Sequence, residues 1–286
     1  MRPVVIATIA LVLLAGEAPM DAARLRPESL AGWTRYVNVV EARRHREVAG
    51  NRFFVMDQGP GGPSERQALL RGETLIREME ARGADGRAVE VPGAMVHHWR
   101  GAVFLPGTSL TRLIETLATE APPPGRDVLR SAVLKRSPGR MQVFLRLERT
   151  RFVTVVLDTE HDVQFVRESS SRASSSSIAT RIVEVDNAGT ALERARPAGD
   201  DRGFLWRLNA YWRYEAVAGG VLAECESVSL SRSVPFGFQT LAGPLIGSAA
   251  RESMARALEE LVDRSRRLAT SHASGQREPQ AGGPGA

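Results

Sequence analysis

The residues able to do chemistry in this chain of 286 amino acids are few and scattered. His97 and His98 are adjacent and precede Trp99. On a strand, neighbouring side chains point to opposite faces, so the two imidazoles cannot share a metal ion. One of them, His97, is a candidate for facing an interior cavity, against the simpler reading of a surface or core histidine. Asp158, Glu160, His161 and Asp162 crowd one short stretch that reads as the connection of a hairpin. Such a cluster can hold calcium or zinc, yet polar loop tips are common, and no metal site is assigned. The serines at 169–171 and 174–177 fit no nucleophile-elbow pattern and have no placed base. They read as a polar loop or an edge strand. Cys225 is the only cysteine, which excludes an intramolecular disulfide and a multi-cysteine metal site. A buried, inert thiol is its expected state. No glycine loop able to cradle a phosphate occurs. No catalytic residue and no cofactor is assigned.

The strongest local pattern lies in residues 203–215, where Phe204, Trp206, Leu208, Ala210, Trp212 and Tyr214 fall on one face of a strand. Residues 221–230 form its partner, and Ala218-Gly219-Gly220 between them is a hairpin signal. With Ala218-Gly219 as the tight turn, Trp212 lies opposite Cys225, Tyr214 opposite Ala223, and Leu208 opposite Ser229. Large aromatics then meet small side chains, and the face must be core, cavity wall or both. Phe204, Trp206, Leu208, Trp212, Tyr214, Cys225 and Ser227 are the candidate ligand-binding residues. On the other face the same register sets Arg213 against Glu224 and Tyr211 against Glu226. Two readings stay open for them: solvent-exposed cross-strand pairs worth roughly 0.2–1 kcal/mol each, or polar anchors inside the pocket. Tyr211, Arg213, Glu226 and His97 are the candidate anchors.

These residues need a framework. Residues 27–48 read as a helix, with Pro27 at a first helical position and Leu30, Trp33, Val37 and Val40 at helical spacing. A short strand is expected at 53–56, a longer one at 69–79 and a further one at 94–104. A helix capped by Thr108 or Ser109 follows, with Leu110, Leu113, Ile114 and Leu117 on its apolar face, and the prolines at 122–124 stop it. Beyond them the period becomes two: Met141, Val143, Leu145 and Leu147 alternate with polar residues. Residues 152–157 and 163–166 are expected to flank the hairpin connection at 158–162, and 174–185 is a further strand. Ile246, Ala250, Met254, Ala257, Leu258, Leu261 and Leu268 form one stripe on a long last helix. No βαβ alternation occurs, so an α+β domain with an antiparallel sheet is expected.

This order resembles the START-like, or polyketide cyclase/lipid-transport, superfamily, and in particular its exported bacterial members. The resemblance is carried by the aromatic strand 203–213, its partner 220–227, and the run 230–235 that leads by way of 236–244 into the last helix. It spans about residues 30–268 and is one of layout, with no functional motif to transfer. It implies a helix-grip fold, a curved antiparallel sheet wrapped around a long C-terminal helix with a cavity between them. It also implies binding or transport of an apolar small molecule or lipid and, in some branches, cyclase or hydrolase activity. A third reading is an interaction module with a filled core and a contact loop at 234–238.

Composition narrows the partners. The net charge is +5 and the pI about 10.2, but Lys135 is the only lysine and the arginines are interleaved with acids. No basic stripe forms, and a nucleic-acid partner is not expected. Residues 1–18 look like a secretory signal peptide, with Arg2 ahead of an apolar run at 4–15 too short to span a bilayer. An uncleaved anchor is the alternative. No other segment is long enough to cross a membrane. The chain is thus expected to be exported, periplasmic or secreted, with one domain at 27–268, and to act as a monomer. The Gly-, Pro-, Ser- and Gln-rich end, 270–286, is expected to be a disordered tail.

Overall fold

The computed structural model describes residues 25–275 apart from 51, 59–60, 151–153, 198 and 233–238. The leader at 1–18, the contact loop at 234–238 and the tail beyond 275 lie outside the described residues. The chain begins with helix α1 (Pro27–Ala49), a 3-10 turn (Val55–Gln58) and α2 (Gly62–Leu70). Strands β1 (Leu75–Glu78) and β2 (Ala94–Pro106) precede α3 (Leu110–Thr119). Then come β3 (Val128–Ser137), β4 (Arg140–Thr150), β5 (Thr154–Arg167), β6 (Arg172–Asp186) and the two-residue β7 (Arg194–Ala195). Strands β8 (Arg207–Val217) and β9 (Gly220–Arg232) lead to α4 (Gln239–Gly275). All pairings are antiparallel, in the order β1-β2-β9-β8-β6-β5-β4-β3, with β7 on β6. This is the α+β architecture expected from the element order, in the helix-grip layout that the resemblance implies.

Each face of the sheet has its own cover. On the inner face α4 lies along β2, where Met254, Leu258 and Leu261 join Val103, Leu105, Tyr214, Ala223 and Cys225 in one buried cluster. Gly101 makes this seat possible, because a Cβ there would fall 2.7 Å from Leu258 Cδ1 and 2.8 Å from Met254 Cγ. On the outer face α1 presents Trp33, Tyr36 and Val40 to Trp206, Tyr211, Val228 and Leu230. Phe53, Phe54, Met56 and Leu69 continue that layer against Ala102 and Leu222.

The turn between β8 and β9 is the two-residue one inferred from Ala218-Gly219, with Gly219 in the left-handed region at φ +82°. It sets Trp212 opposite Cys225, Tyr214 opposite Ala223, Leu208 opposite Ser229, Arg213 opposite Glu224 and Tyr211 opposite Glu226, as expected.

Several elements differ from the sequence reading. Residues 53–56 are no strand: Phe53 and Phe54 are buried anchors leading into the 3-10 turn. Leu69 and Leu70 end α2, so the strand read at 69–79 shrinks to β1. Along α1, Leu30 is exposed and Tyr36 takes the buried position instead. Helix α4 runs on through Thr270 to Gly275, past the expected start of the tail. The acidic stretch 158–162 is the middle of β5, with no turn in it. Its acids are one face of a strand and are satisfied across the ladder: Arg146 Nε donates to Asp158 at 2.7 Å, Gln142 to Asp162 at 2.9 Å and Arg181 to Glu160 at 3.2 Å.

Candidate functional site

Directly paired residues in a sheet share a face, so the ladder defines rows across the inner surface. One row runs Trp99, Ser227, Ala210, Ser177, Val163, Met141 over six strands. The next runs Gly101, Cys225, Trp212, Ser175, Phe165. A third holds His97, Ser229 and Leu208. On β9 and β6 this surface is built from serine, alanine and cysteine, while β8 between them carries Leu208, Ala210, Trp212 and Tyr214.

Exposure along the central strands locates that space. On β8 the outward residues Asn209, Tyr211 and Arg213 are buried, while Leu208, Ala210 and Trp212, facing inward, are only half-buried. On β9, Glu226, Val228 and Leu230 are buried, and Ser227 and Ser229 are half-buried. A central strand normally buries both faces, so the inner face holds a hollow. Helix α4 packs over one end of it, on Gly101, Val103, Ala223, Cys225 and Tyr214.

Three polar side chains meet in the floor of the hollow. His161 is buried, with Nε2 2.9 Å from Thr159 Oγ1 and Nδ1 3.2 Å from Ser177 Oγ. Thr159 also donates to the carbonyl of Leu145 at 3.1 Å. Burial pushes the His161 imidazole down to about 4, so it is neutral near pH 7. Further along the inner face Tyr214 stacks on Trp212, with ring centroids 6.1 Å apart and planes at 4°. Burial raises the Tyr214 hydroxyl, and a hydrogen bond with Ser175 partly counters that.

The candidate ligand residues are divided by the structure. Leu208, Trp212 and Ser227 lie together on the inner face, half-buried beside the hollow. Tyr214 and Cys225 share the face but are sealed under α4, and burial raises the Cys225 thiol. Phe204 and Trp206 do not belong with them. Strand β8 begins only at Arg207, so period-two alternation does not extend back to either residue. Trp206 packs on the outer face with Trp33 and Tyr36, and its indole donates to Asp201 at 2.8 Å. Phe204 sits in the β7–β8 connection, its amide donating to Glu184 at 3.2 Å.

The candidate anchors are divided too. His97 faces inward, 3.0 Å from Ser231 Oγ, and burial lowers its pKa. Tyr211, Arg213 and Glu226 are neither solvent-exposed pairs nor pocket anchors. They are buried on the outer face, beneath α1. Arg213 donates to Glu47 at 2.6 Å and to the Phe53 carbonyl at 2.8 Å. Tyr211 donates to Glu41 at 2.9 Å and lies under the Arg44 guanidinium, 4.3 Å from the ring centroid. Glu226 is bonded by His98 at 2.7 Å and by Arg43, and Arg44 stands 3.5 Å away. Burial opposes ionisation of Glu226, yet the His98 hydrogen bond and the two arginines hold it down at about 2. Tyr36 completes the set, its hydroxyl 2.9 Å from His98 Nδ1 and accepting from the Ala81 amide at 3.0 Å. This network fastens α1 and the segment after it to the sheet.

The sequence reading weighed His161 only for a metal and Ser177 only for a nucleophile, and passed over Thr159. The signal was present as alternation: His161 stands out of phase with Asp158, Glu160 and Asp162, and Ser175 and Ser177 out of phase with Ser174 and Ser176. Two surface clefts lie elsewhere. One of about 580 Å³ lies between Arg71-Gly72-Glu73, the end of β2 and α4, and one of about 850 Å³ between α1 and the turn at Gly83 and Asp85. None of the candidate residues lines either. Among the described residues no helix is long and apolar enough to cross a membrane, and no group of three His, Cys, Asp or Glu side chains could hold a metal ion.

A long antiparallel sheet gripping its own C-terminal helix is a helix-grip arrangement. Among solved structures the chain is similar to a STAR-related lipid transfer protein from Xanthomonas axonopodis, with 17% identity and a TM-score of 0.42 over 66% of this chain and 98% of that one. Human STARD10 gives 7% identity and 0.41 over 77% and 83%. The Zhui aromatase/cyclase from Streptomyces sp. R1128 gives 15% and 0.33 over 66% and 100%. At such identities and TM-scores neither a residue role nor an activity carries across. No family model and no curated protein matches the chain.

Proposed function

We propose that this chain binds a hydrophobic small molecule or lipid in the hollow on the inner face of the sheet. One observation carries the reading. The inward residues of the two central strands, Leu208, Ala210, Trp212, Ser227 and Ser229, are half-buried, while their outward neighbours are buried. An apolar, concave surface with a few convergent polar groups is what small-ligand sites consist of. Export, proposed from the leader at 1–18, would set this binding outside the cytoplasm, and N-terminal sequencing of the secreted protein checks it.

The four tryptophans provide the test. Trp99 and Trp212 lie in the inner rows, whereas Trp33 and Trp206 lie in the outer core. A bound apolar ligand should quench or shift fluorescence in a saturable way. Trp212→Phe and Trp99→Phe should each remove part of that response, and Trp206→Phe should leave it intact. A response that survives in the Trp99→Phe, Trp212→Phe double variant would move the ligand off the inner face. No saturable response to fatty acids, alcohols, quinones or phospholipids would leave a filled-core interaction module as the better reading.

A further inference from the structure

We infer that Thr159, His161 and Ser177 form the head-group site of the hollow, and that this site selects a neutral ligand whose polar group is a hydroxyl. The inference rests on the binding reading above and deepens it. It follows from counting protons. The Thr159 hydroxyl has one proton and gives it to the Leu145 carbonyl at 3.1 Å, so towards His161 it can only accept. The imidazole therefore carries its proton on Nε2, bonded to Thr159 at 2.9 Å, and its Nδ1 is an acceptor. Ser177 Oγ, 3.2 Å away, is then the donor to Nδ1.

With its proton committed, Ser177 presents lone pairs to the hollow. It stands half-buried in the row between Ala210 and Val163, where a ligand can reach it. A ligand hydroxyl can donate to those lone pairs and complete the chain ligand, Ser177, His161, Thr159, Leu145. An ether or ester oxygen cannot donate. To be served, it would need Ser177 to turn away and leave His161 Nδ1 buried without a partner, which is unfavourable. A carboxylate fares no better, because burial keeps His161 uncharged. Three arginines on the elements bordering this face are already engaged: Arg149 and Arg256 with Asp127, and Arg264 with Glu120.

The test compares three probes of one chain length: 1-decanol, decyl methyl ether and decanoate, titrated at pH 7 against tryptophan emission of the full chain. Decanol should bind about tenfold more tightly than the ether or the acid. Ser177→Ala should abolish that preference, and His161→Gln should reduce it. Circular dichroism checks that both variants fold, and Ser177→Ala, a small change, keeps the test valid if His161→Gln does not. Equal binding of alcohol and ether by the parent chain would overturn the head-group site and leave apolar binding standing. So would tightest binding of decanoate. Acylation of Ser177 by p-nitrophenyl decanoate, seen as a mass increase, would overturn it in favour of a nucleophile. Failure of all three probes to bind would sink both readings together.

Discussion

Arg213 illustrates what a single residue contributes here. It is almost fully buried, at 1% exposure, and its two terminal nitrogens donate to the Phe53 carbonyl and Glu47, with Glu224 at 3.9 Å. Removing one member of such a set leaves buried charge without compensation, at a cost of about 3–5 kcal/mol. Arg213→Leu should therefore lower unfolding stability by that order in urea titration. Arg213→Lys should rescue only part of it, since an ammonium cannot span both acceptors as the planar guanidinium does. A loss below about 1 kcal/mol for Arg213→Leu would show that the network is not coupled through this residue. The register of Arg213 and Glu224 was legible from the Ala218-Gly219 turn alone. Their burial was not, because the partners Glu47 and Phe53 lie more than a hundred residues away in sequence. Nothing in an Arg/Glu alternation distinguishes a solvated face from one that a helix will cover.

The elements follow the same division. Strands β8 and β9 and the last helix were legible because alternation and the helical stripe are strong local signals. Strand β5 was missed because three acids at alternate positions were read by composition, as a loop tip, when their period of two was that of a strand. That error hid His161, and with it the polar part of the candidate site. At the scale of elements the critical joint is where α4 rests on β2. Gly101 is the point of closest approach, and Leu258 and Met254 are too well buried to move aside. Gly101→Val should lift the helix and destabilise by about 1–3 kcal/mol through overpacking. Leu258→Asp, which buries an unpaired charge under the sheet, should cost more than about 4 kcal/mol. Thermal melts of both variants check the order. Parent-like midpoints would show that α4 is not seated there.

For the whole molecule, the two covers of the sheet leave different kinds of buried ionisable groups, and acid should find them in sequence. His161, on the inner face, has its pKa lowered by burial from 6.5 to about 4. The unfolded chain takes up a proton in that interval and the folded chain refuses it, so stability falls as pH drops from about 6.5 to 4. At about 1.4 kcal/mol per pH unit this amounts to roughly 3 kcal/mol. His97, also lowered by burial, acts in the same direction. Glu226, on the outer face, is held down at about 2 from 4.5, so its stabilisation is complete above pH 4.5 and is lost as pH falls towards 2. Glu224 runs the other way: burial raises its pKa, and its contribution is larger in acid than at neutral pH. The two windows can be separated by substitution. His161→Leu removes the first titration and leaves Glu226 untouched. Its stability should therefore change less than that of the parent between pH 7 and 4.5, whatever its absolute level, and should show the same loss below pH 4. Urea unfolding at closely spaced pH values measures both slopes. An undiminished slope between pH 6.5 and 4.5 in His161→Leu would mean that this imidazole titrates freely in the folded chain, and that the hollow around it is wet.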